Sequence, residues 1–432
     1  MPLRLPPLEP PRISAALAAA LLPLLTACAV LRPGPDQGVL SVAVSIGSDT
    51  YLDAEQRSDT HALLEGLQRS FAIAHPGVTL RLQMFSDQEI VSQLVHRHAN
   101  GLGPDLLAVH EQVAFELLAR GLSRPLRLSP RALADLDPGA LQRVRLPDGR
   151  LSAMPLMIQP ELACFDRRRL AQSPASLDAL LAASADGLRV GLPLEPRDLG
   201  WTFGSLGSRE AFLALRPGQP LSAVQRQRIA RWFAWMKAAD LQHRFNFLPN
   251  RQALEEDMLK GRLDWISCRS SQLSRLRRGL GQRLGVSVLP SGPGGPPSPV
   301  SSLRLIALGT DSSPVQRRLA ERLALFSINP QLQNSFTIIK MALLPVNRQV
   351  PVPQAGSEVL ASLIRSHKLA ARGDALGSLL QPGSATAVAL RQELLAHLYG
   401  DSDAEQVSTR LIARLTTARP GIPGRGLAPA RP

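Results

Sequence analysis

Apolar and polar positions change period repeatedly along this chain. Val39 to Ile46 alternates as a half-covered strand does, and the next stretch puts Leu63, Leu64, Leu67 and Phe71 on one helical face. Pro76-Gly77 stops that helix, and Val78 to Met84 alternates again. Ser86 and Glu89 have capping-box spacing for a helix from about Asp87 to Ala99, which Asn100-Gly101 ends in a left-handed turn. Leu106 to Val109 predicts a short strand, and the helix after it carries Phe115, Leu117 and Leu118. Strand–helix alternation with short connections predicts a mostly parallel sheet covered by helices, an α/β fold.

A second α/β region begins after Pro155. Ser176 is placed to cap a helix, Leu188 to Leu192 reads as a buried strand, and 221–242 as an amphipathic helix with Ile229, Trp232, Phe233 and Met236 on its face. A helix ending at Lys260-Gly261 precedes a strand at Leu263 to Ser267, and Val286 to Leu289 is another strand. Ser291 to Pro299 has the Pro/Gly/Ser composition of a crossing between domains. A strand at Leu303 to Leu308 and a helix from about Val315 to Ile328 follow. Residues 356–416 read as helices only, and the tail from Ala418 as disordered. No solenoid repeat is evident.

The N-terminus changes the picture of where the chain works. Arg4 and Arg12 precede an apolar core from Ile13 to Leu25, shorter than the roughly 20 residues that span a bilayer. Residues 1–28 therefore read as an export signal, with an inserted or buried helix as the alternative. Residues 29–38, polar and turn-rich, suit a tether. The 432 residues allow two or three domains with sizeable cores.

The formal net charge is +14, almost all from arginine, since lysine occurs only at Lys237, Lys260, Lys340 and Lys368. The arginines are scattered, and aromatics, at 4 %, are too sparse for base-stacking surfaces, so no nucleic-acid partner is expected. Attraction to an anionic membrane surface and plain compositional bias explain the charge equally well. Besides Cys28, the cysteines are Cys164 and Cys268. An oxidising compartment would let them pair, and two buried free thiols are the favoured reading.

Enzyme constellations are missing. There is no Gly-x-Ser-x-Gly elbow and no Gly-Lys-Ser/Thr, and His110-Glu111 lacks the second histidine of a zinc-binding helix. His96 and His98, two apart on a helix, point in different directions. No catalytic residue, metal or cofactor is expected.

Leu25-Thr26-Ala27-Cys28 resembles a bacterial lipobox, in which the cysteine is lipidated and anchors the protein; several acyl chains hold where one is marginal. A series of ordered phrases follows it. His75-Pro76-Gly77 is succeeded by Gly103-Pro104-Asp105, Gly121-Leu122, and Met154-Pro155 through Phe165-Asp166-Arg167. Pro174 through Asp178, Gly285 through Pro290, Asn329 through Gln333, and Leu344-Pro345-Val346-Asn347 complete it. In this order they resemble the extracellular solute-binding family that includes sugar and maltodextrin receptors of ABC importers.

The resemblance implies a periplasmic-binding-protein-like type II fold, two α/β lobes joined by crossing strands around a ligand cleft. Lobe I would take about 39–155 and 298–347, and lobe II 156–297 and 348–416. It implies a monomeric, lipid-anchored, extracytoplasmic receptor that hands a small solute to ABC permease subunits. An exported enzyme, or a sensing or envelope lipoprotein on the same fold, is the alternative.

Such a cleft is lined by loops at strand carboxyl ends. That selects Ser48 and Asp49, then Ser86 and Asp87, then His110, Glu111 and Gln112. The family's crossing segment places a polar residue four positions after its proline, here Gln159. The second lobe offers Trp201, Arg269, Ser270 and Ser271. Asp49, Ser86 and Asp87 have helix capping as an equal reading, Trp201 core packing, and Arg269 a solvated charge. The third-strand loop carries no tryptophan and the chain has two tyrosines, which disfavours a long oligosaccharide stacked on aromatic faces. A monosaccharide, polyol or compact glycoside is expected, and a phosphorylated or carboxylated solute if Arg269 points inward.

Overall fold

The computed structural model describes residues 37–46, 54–340, 343–371, 373–381 and 383–417. The N-terminal run with Cys28, the loop with Ser48 and Asp49, and the tail from Ala418 lie outside the described residues.

Twelve strands occur among them: β1 (Gly38–Ser45), β2 (Val78–Phe85), β3 (Leu106–His110), β4 (Ser123–Arg124), β5 (Met154–Gln159), β6 (Glu161–Asp166), β7 (Val190–Pro193), β8 (Phe245–Leu248), β9 (Trp265–Arg269), β10 (Leu284–Ser287), β11 (Ser302–Gly309) and β12 (Leu344–Pro345). They form two sheets, one in the order β12-β5-β11-β3-β1-β2 with β4 beside β11, the other in the order β10-β6-β9-β7-β8. In the first sheet β1 runs parallel to β2 and β3, while β11 pairs antiparallel with β3 and β5. The second repeats the plan, with β7 parallel to β8 and β9, and β6 antiparallel to β9 and β10. This is the two-lobed α/β architecture expected of the family.

Only Pro160 separates β5 of the first sheet from β6 of the second, so the first crossing is a single residue. The chain returns between β10 and β11, and crosses again after β12. There the helix Glu358–Ala370 packs on β6 and β10, Ser362 Oγ donating to the Val286 carbonyl at 3.4 Å. The helices Ala385–Tyr399 and Ala404–Thr417 lie against Ala223–Asp240, whose Trp232, Phe233 and Met236 are wholly buried. Each such side chain contributes roughly 1.5–3 kcal/mol of apolar burial.

The ordered phrases are joints of this scaffold. Asp105 accepts from the Ser41 backbone N–H at 2.8 Å, tying the start of β3 to β1. The adjoining Pro104 carbonyl lies so near Gly309 that a β-carbon there would approach it to 1.8 Å, which only glycine avoids. Gln333 donates to the Leu156 carbonyl (2.8 Å) and accepts from the Val346 N–H (2.8 Å), so the Asn329–Gln333 and Leu344–Asn347 phrases lock together.

Several expectations shift. Cys164 and Cys268 form a disulfide between β6 and β9, with Cα atoms 5.8 Å apart, in place of free thiols. They lie on adjacent antiparallel strands, Cys164 opposite Ile266 and Cys268 opposite Leu162, within bridging distance. The helix expected from Asp87 starts at Ile90; residues 87–89 form a turn, across which Ser86 Oγ accepts from the Glu89 N–H (3.2 Å) and donates to the Glu89 carboxylate (2.9 Å). β9 lies two residues later than expected. Asp264 is held outside it by Arg189, through Nη2 at 2.6 Å and Nε at 2.9 Å, which moves Arg269 to the strand's end.

Candidate functional site

The carboxyl ends of strands from both sheets converge on one cleft of about 380 Å³, within the range of small-molecule sites. From the first sheet come Asp87 after β2, His110 and Gln112 at β3, Gln159 at the end of β5, and Arg304 on β11. From the second come Arg197 after β7, Arg251 after β8, Arg269 at the end of β9, and Ser271 beyond it. Behind the polar groups, Val42, Val44, Leu80 and Leu82 of the first sheet supply an apolar bed. The lining, among the described residues, holds no Trp, Tyr or Phe.

Local sequence explains each position. Asn250 caps the helix Arg251–Leu259, its Oδ1 accepting from the Ala253 N–H at 2.9 Å, so Arg251 stands on the first turn. Pro196 opens the short helix Pro196–Leu199 and sets Arg197 and Asp198 at the mouth of β7. Asp198 then organises the second-sheet face: Oδ1 accepts from Arg269 Nη2 at 2.9 Å and Oδ2 lies 3.0 Å from Arg251 Nε. Gln272 braces the same face, accepting from the Arg269 N–H (2.9 Å) and donating to the Arg251 carbonyl (3.0 Å) and Glu255 (3.1 Å).

The electrostatics follow from burial and partners. Burial pushes His110 down to about 4, although Asp87 lies 3.6 Å away and opposes the shift, so its ring is neutral near neutral pH. Burial, then the nearby Asp198 charge, raises the Glu161 carboxyl well above its ordinary range. Burial raises Asp198 as well, with Arg251 and Arg197 acting against the rise. Two charge-assisted contacts within 3.0 Å favour the ionised form of Asp198, whereas Glu161, without such contacts, is pushed further toward its protonated form. Glu161 Oε2 accepts from the Val300 N–H at 3.3 Å, while Oε1 has no protein partner.

Four expected residues are not in the lining. Ser86 is buried at the turn before the helix Ile90–His98, bonded to Glu89 as described above. Glu111 turns inward, where Arg143 Nε (2.9 Å) and Arg197 Nη2 (2.9 Å) converge on its carboxylate. Burial would raise its pKa, but the two guanidinium groups outweigh that and hold it low. Trp201 is wholly buried in the apolar core of the second sheet, which also holds Phe203 and Trp232, because the short helix Trp201–Ser205 directs the indole away from the cleft. Ser270 is buried beneath the cleft wall, where its N–H donates to the Pro160 carbonyl at 2.9 Å.

Arg197, Arg251 and Arg304 were not selected from sequence. The strand-end rule reaches Arg197 and Arg251, but β8 is only four residues long and its reading as a strand was missing. Arg304 is the one charge in the apolar run Leu303 to Leu308. It donates to the Ser45 (2.6 Å) and Ala108 (3.0 Å) carbonyls, fixing its guanidinium against the strand ends. Among the described residues no cluster of three or more His, Cys, Asp or Glu is placed to hold a metal, and no helix is long and apolar enough to cross a membrane.

Residues 67–359, more than half of the chain, match the family model of bacterial extracellular solute-binding proteins. The chain belongs to this family. Among solved structures, this solute-binding protein resembles the GacH receptor of Streptomyces glaucescens, solved unliganded and with acarbose, at 18 % identity and TM-score 0.65 over 87 % of this chain and 97 % of that one. The Thermus thermophilus maltotriose-binding protein, bound with maltotriose, matches at 15 % identity and TM-score 0.63 over 87 % and 98 %. An ABC transporter solute-binding protein from Thermotoga lettingae, bound with α-D-tagatose, matches at 13 % identity and TM-score 0.63 over 88 % and 100 %. At these identities the likeness is one of fold. Among curated protein sequences none is significantly similar to this chain. Family and neighbours are binding proteins rather than enzymes.

Proposed function

We propose that this chain is the receptor of an ABC importer, anchored outside the cytoplasm by lipid on Cys28. As a monomer it closes two lobes on a compact carbohydrate-type solute, a monosaccharide, polyol or compact glycoside, and delivers it to the permease. The lobes pivot where the chain crosses between sheets, at Pro160 and in the segments after β10 and β12. The reading rests chiefly on one observation: strand ends of both sheets meet at a single cleft whose polar side chains stand over an apolar bed and whose lining, among the described residues, holds no Trp, Tyr or Phe. Gln159, Asp87, His110, Gln112 and Ser271 are the proposed hydrogen-bonding groups. Neighbours that bind acarbose, maltotriose and tagatose support a carbohydrate. That the lining holds no Trp, Tyr or Phe among the described residues argues for a short one.

A solute held by both faces stabilises the closed form by its differential affinity. A thermal-shift screen against sugars, polyols, sugar phosphates and amino acids tests this. A ligand at about 100 times its dissociation constant adds roughly 2.7 kcal/mol of stability. No shift with any of these solutes, together with turnover of any substrate, would favour an exported enzyme instead. Cys28→Ala is expected to release the protein from membranes, and continued membrane binding contradicts the anchor.

A further inference from the structure

Three arginines reach the cleft from three adjacent strands. Arg197, Arg251 and Arg269 follow or end β7, β8 and β9, which lie side by side in the second sheet. Their inner edges are committed, Arg197 to Glu111 and the other two to Asp198. Their remaining nitrogens are not: Arg197 Nε and Nη1, Arg251 Nη1 and Arg269 Nε are buried without a protein partner. The side chains of Arg197 and Arg269 are each only 5 % exposed, so these donors are also shielded from bulk water.

The surrounding charges do not cancel this. Arg275, Arg278 and Arg304 also line the cleft, and Arg143 backs it. Against these seven guanidinium groups stand Asp87, Glu255, Glu111, Asp198 and Glu161, so positive charge is in excess even if every carboxyl is ionised; His110 adds none while neutral. Arg124 Nη2 and Arg317 Nε are also left over outside the cleft, but among the described residues only here do four such donors on three arginines gather at one cavity, beyond what tying loops together requires. Guanidinium forks already fixed by carboxylates are preorganised to accept an oxyanion.

We propose that Arg197, Arg251 and Arg269 form an anion subsite, so that the imported solute is a compact carbohydrate bearing a carboxylate or a phosphate ester. The inference rests on the receptor reading above and narrows its ligand class.

Titration calorimetry on the full chain in detergent tests it, at fixed ionic strength, with neutral hexoses and pentoses, their uronates, their terminal phosphates, and inorganic phosphate alone. The expected result is an anionic member binding at least ten-fold more tightly than its neutral parent. The uronate and phosphate arms decide which oxyanion it is, and inorganic phosphate is expected to compete if the phosphate arm wins. Arg251→Gln, checked for folding by circular dichroism, should shrink the gap between anionic and neutral members to less than three-fold. Should that variant not fold, the comparison on the unmodified chain still decides. Neutral parents binding as tightly as their anionic forms would overturn the subsite and leave the receptor reading standing. Binding by no panel member would overturn both.

Discussion

Glu111 is the residue on which the two halves of the cleft meet. It follows β3 of the first sheet, and its carboxylate receives Arg143 from the same side and Arg197 from the loop after β7. Removing one partner of a buried ionic cluster leaves the others uncompensated, at a cost of about 3–5 kcal/mol. Glu111→Gln is therefore expected to lower the unfolding free energy from urea titration by that order, and a loss below 1 kcal/mol contradicts the assignment. Its depressed pKa also gives a sign with pH. The stabilisation is complete above the unfolded carboxyl value of 4.5 and is lost as pH falls through the lower folded value. His110 acts in a different window. Its folded value of about 4 lies below the ordinary histidine value of 6.5, so the unfolded chain gains a proton first and stability declines as pH drops between them. His110→Asn should flatten the stability profile between pH 6.5 and 4 without changing the steeper loss below. At this scale the sequence was half legible. Gln159 and Arg269 stand at the cleft because a proline spacing and a strand end mark them. Trp201 and Glu111 were misplaced because nothing local says which way a side chain turns from a short helix or a helix start.

Elements that span several turns or carry a cap could be read directly. The helix Ala223–Asp240 begins at a capping box in which Ser222 and Gln225 bond reciprocally, at 3.2 and 2.8 Å. Ser222→Ala is expected to cost about 1 kcal/mol in chemical unfolding. Short strands were not legible. β4 and β12 have two residues each and β8 four, too few for a period, and β5 and β6 are two apolar runs separated only by Gln159-Pro160-Glu161. The pairing of β6 with β9 brought the two cysteines together, a fact no spacing could supply. Their disulfide closes a separation of 104 residues. Reducing it should destabilise the protein by roughly 2–5 kcal/mol, seen as a lowered melting temperature in reductant, and an unchanged melting curve would argue against the bridge.

At the scale of the whole molecule, the chain crosses between two similarly ordered sheets three times, and the Arg197–Glu111 contact is a side-chain tie across the gap. The ordered sequence phrases mapped mostly onto the scaffold that builds this arrangement, as at Asp105 and Gln333, and reach the cleft at Gln159. They therefore speak to fold and family more than to ligand. The proposed character of the ligand rests on the arginines and on a lining that holds no Trp, Tyr or Phe among the described residues. The central claim is that one solute is held between strand ends of both sheets. Hydrogen–deuterium exchange with and without a solute identified by the thermal screen tests this most directly. Added protection is expected together at the ends of β3 and β5 and in the loops after β7, β8 and β9. Protection confined to one sheet's loops, or lying away from the cleft, would contradict it.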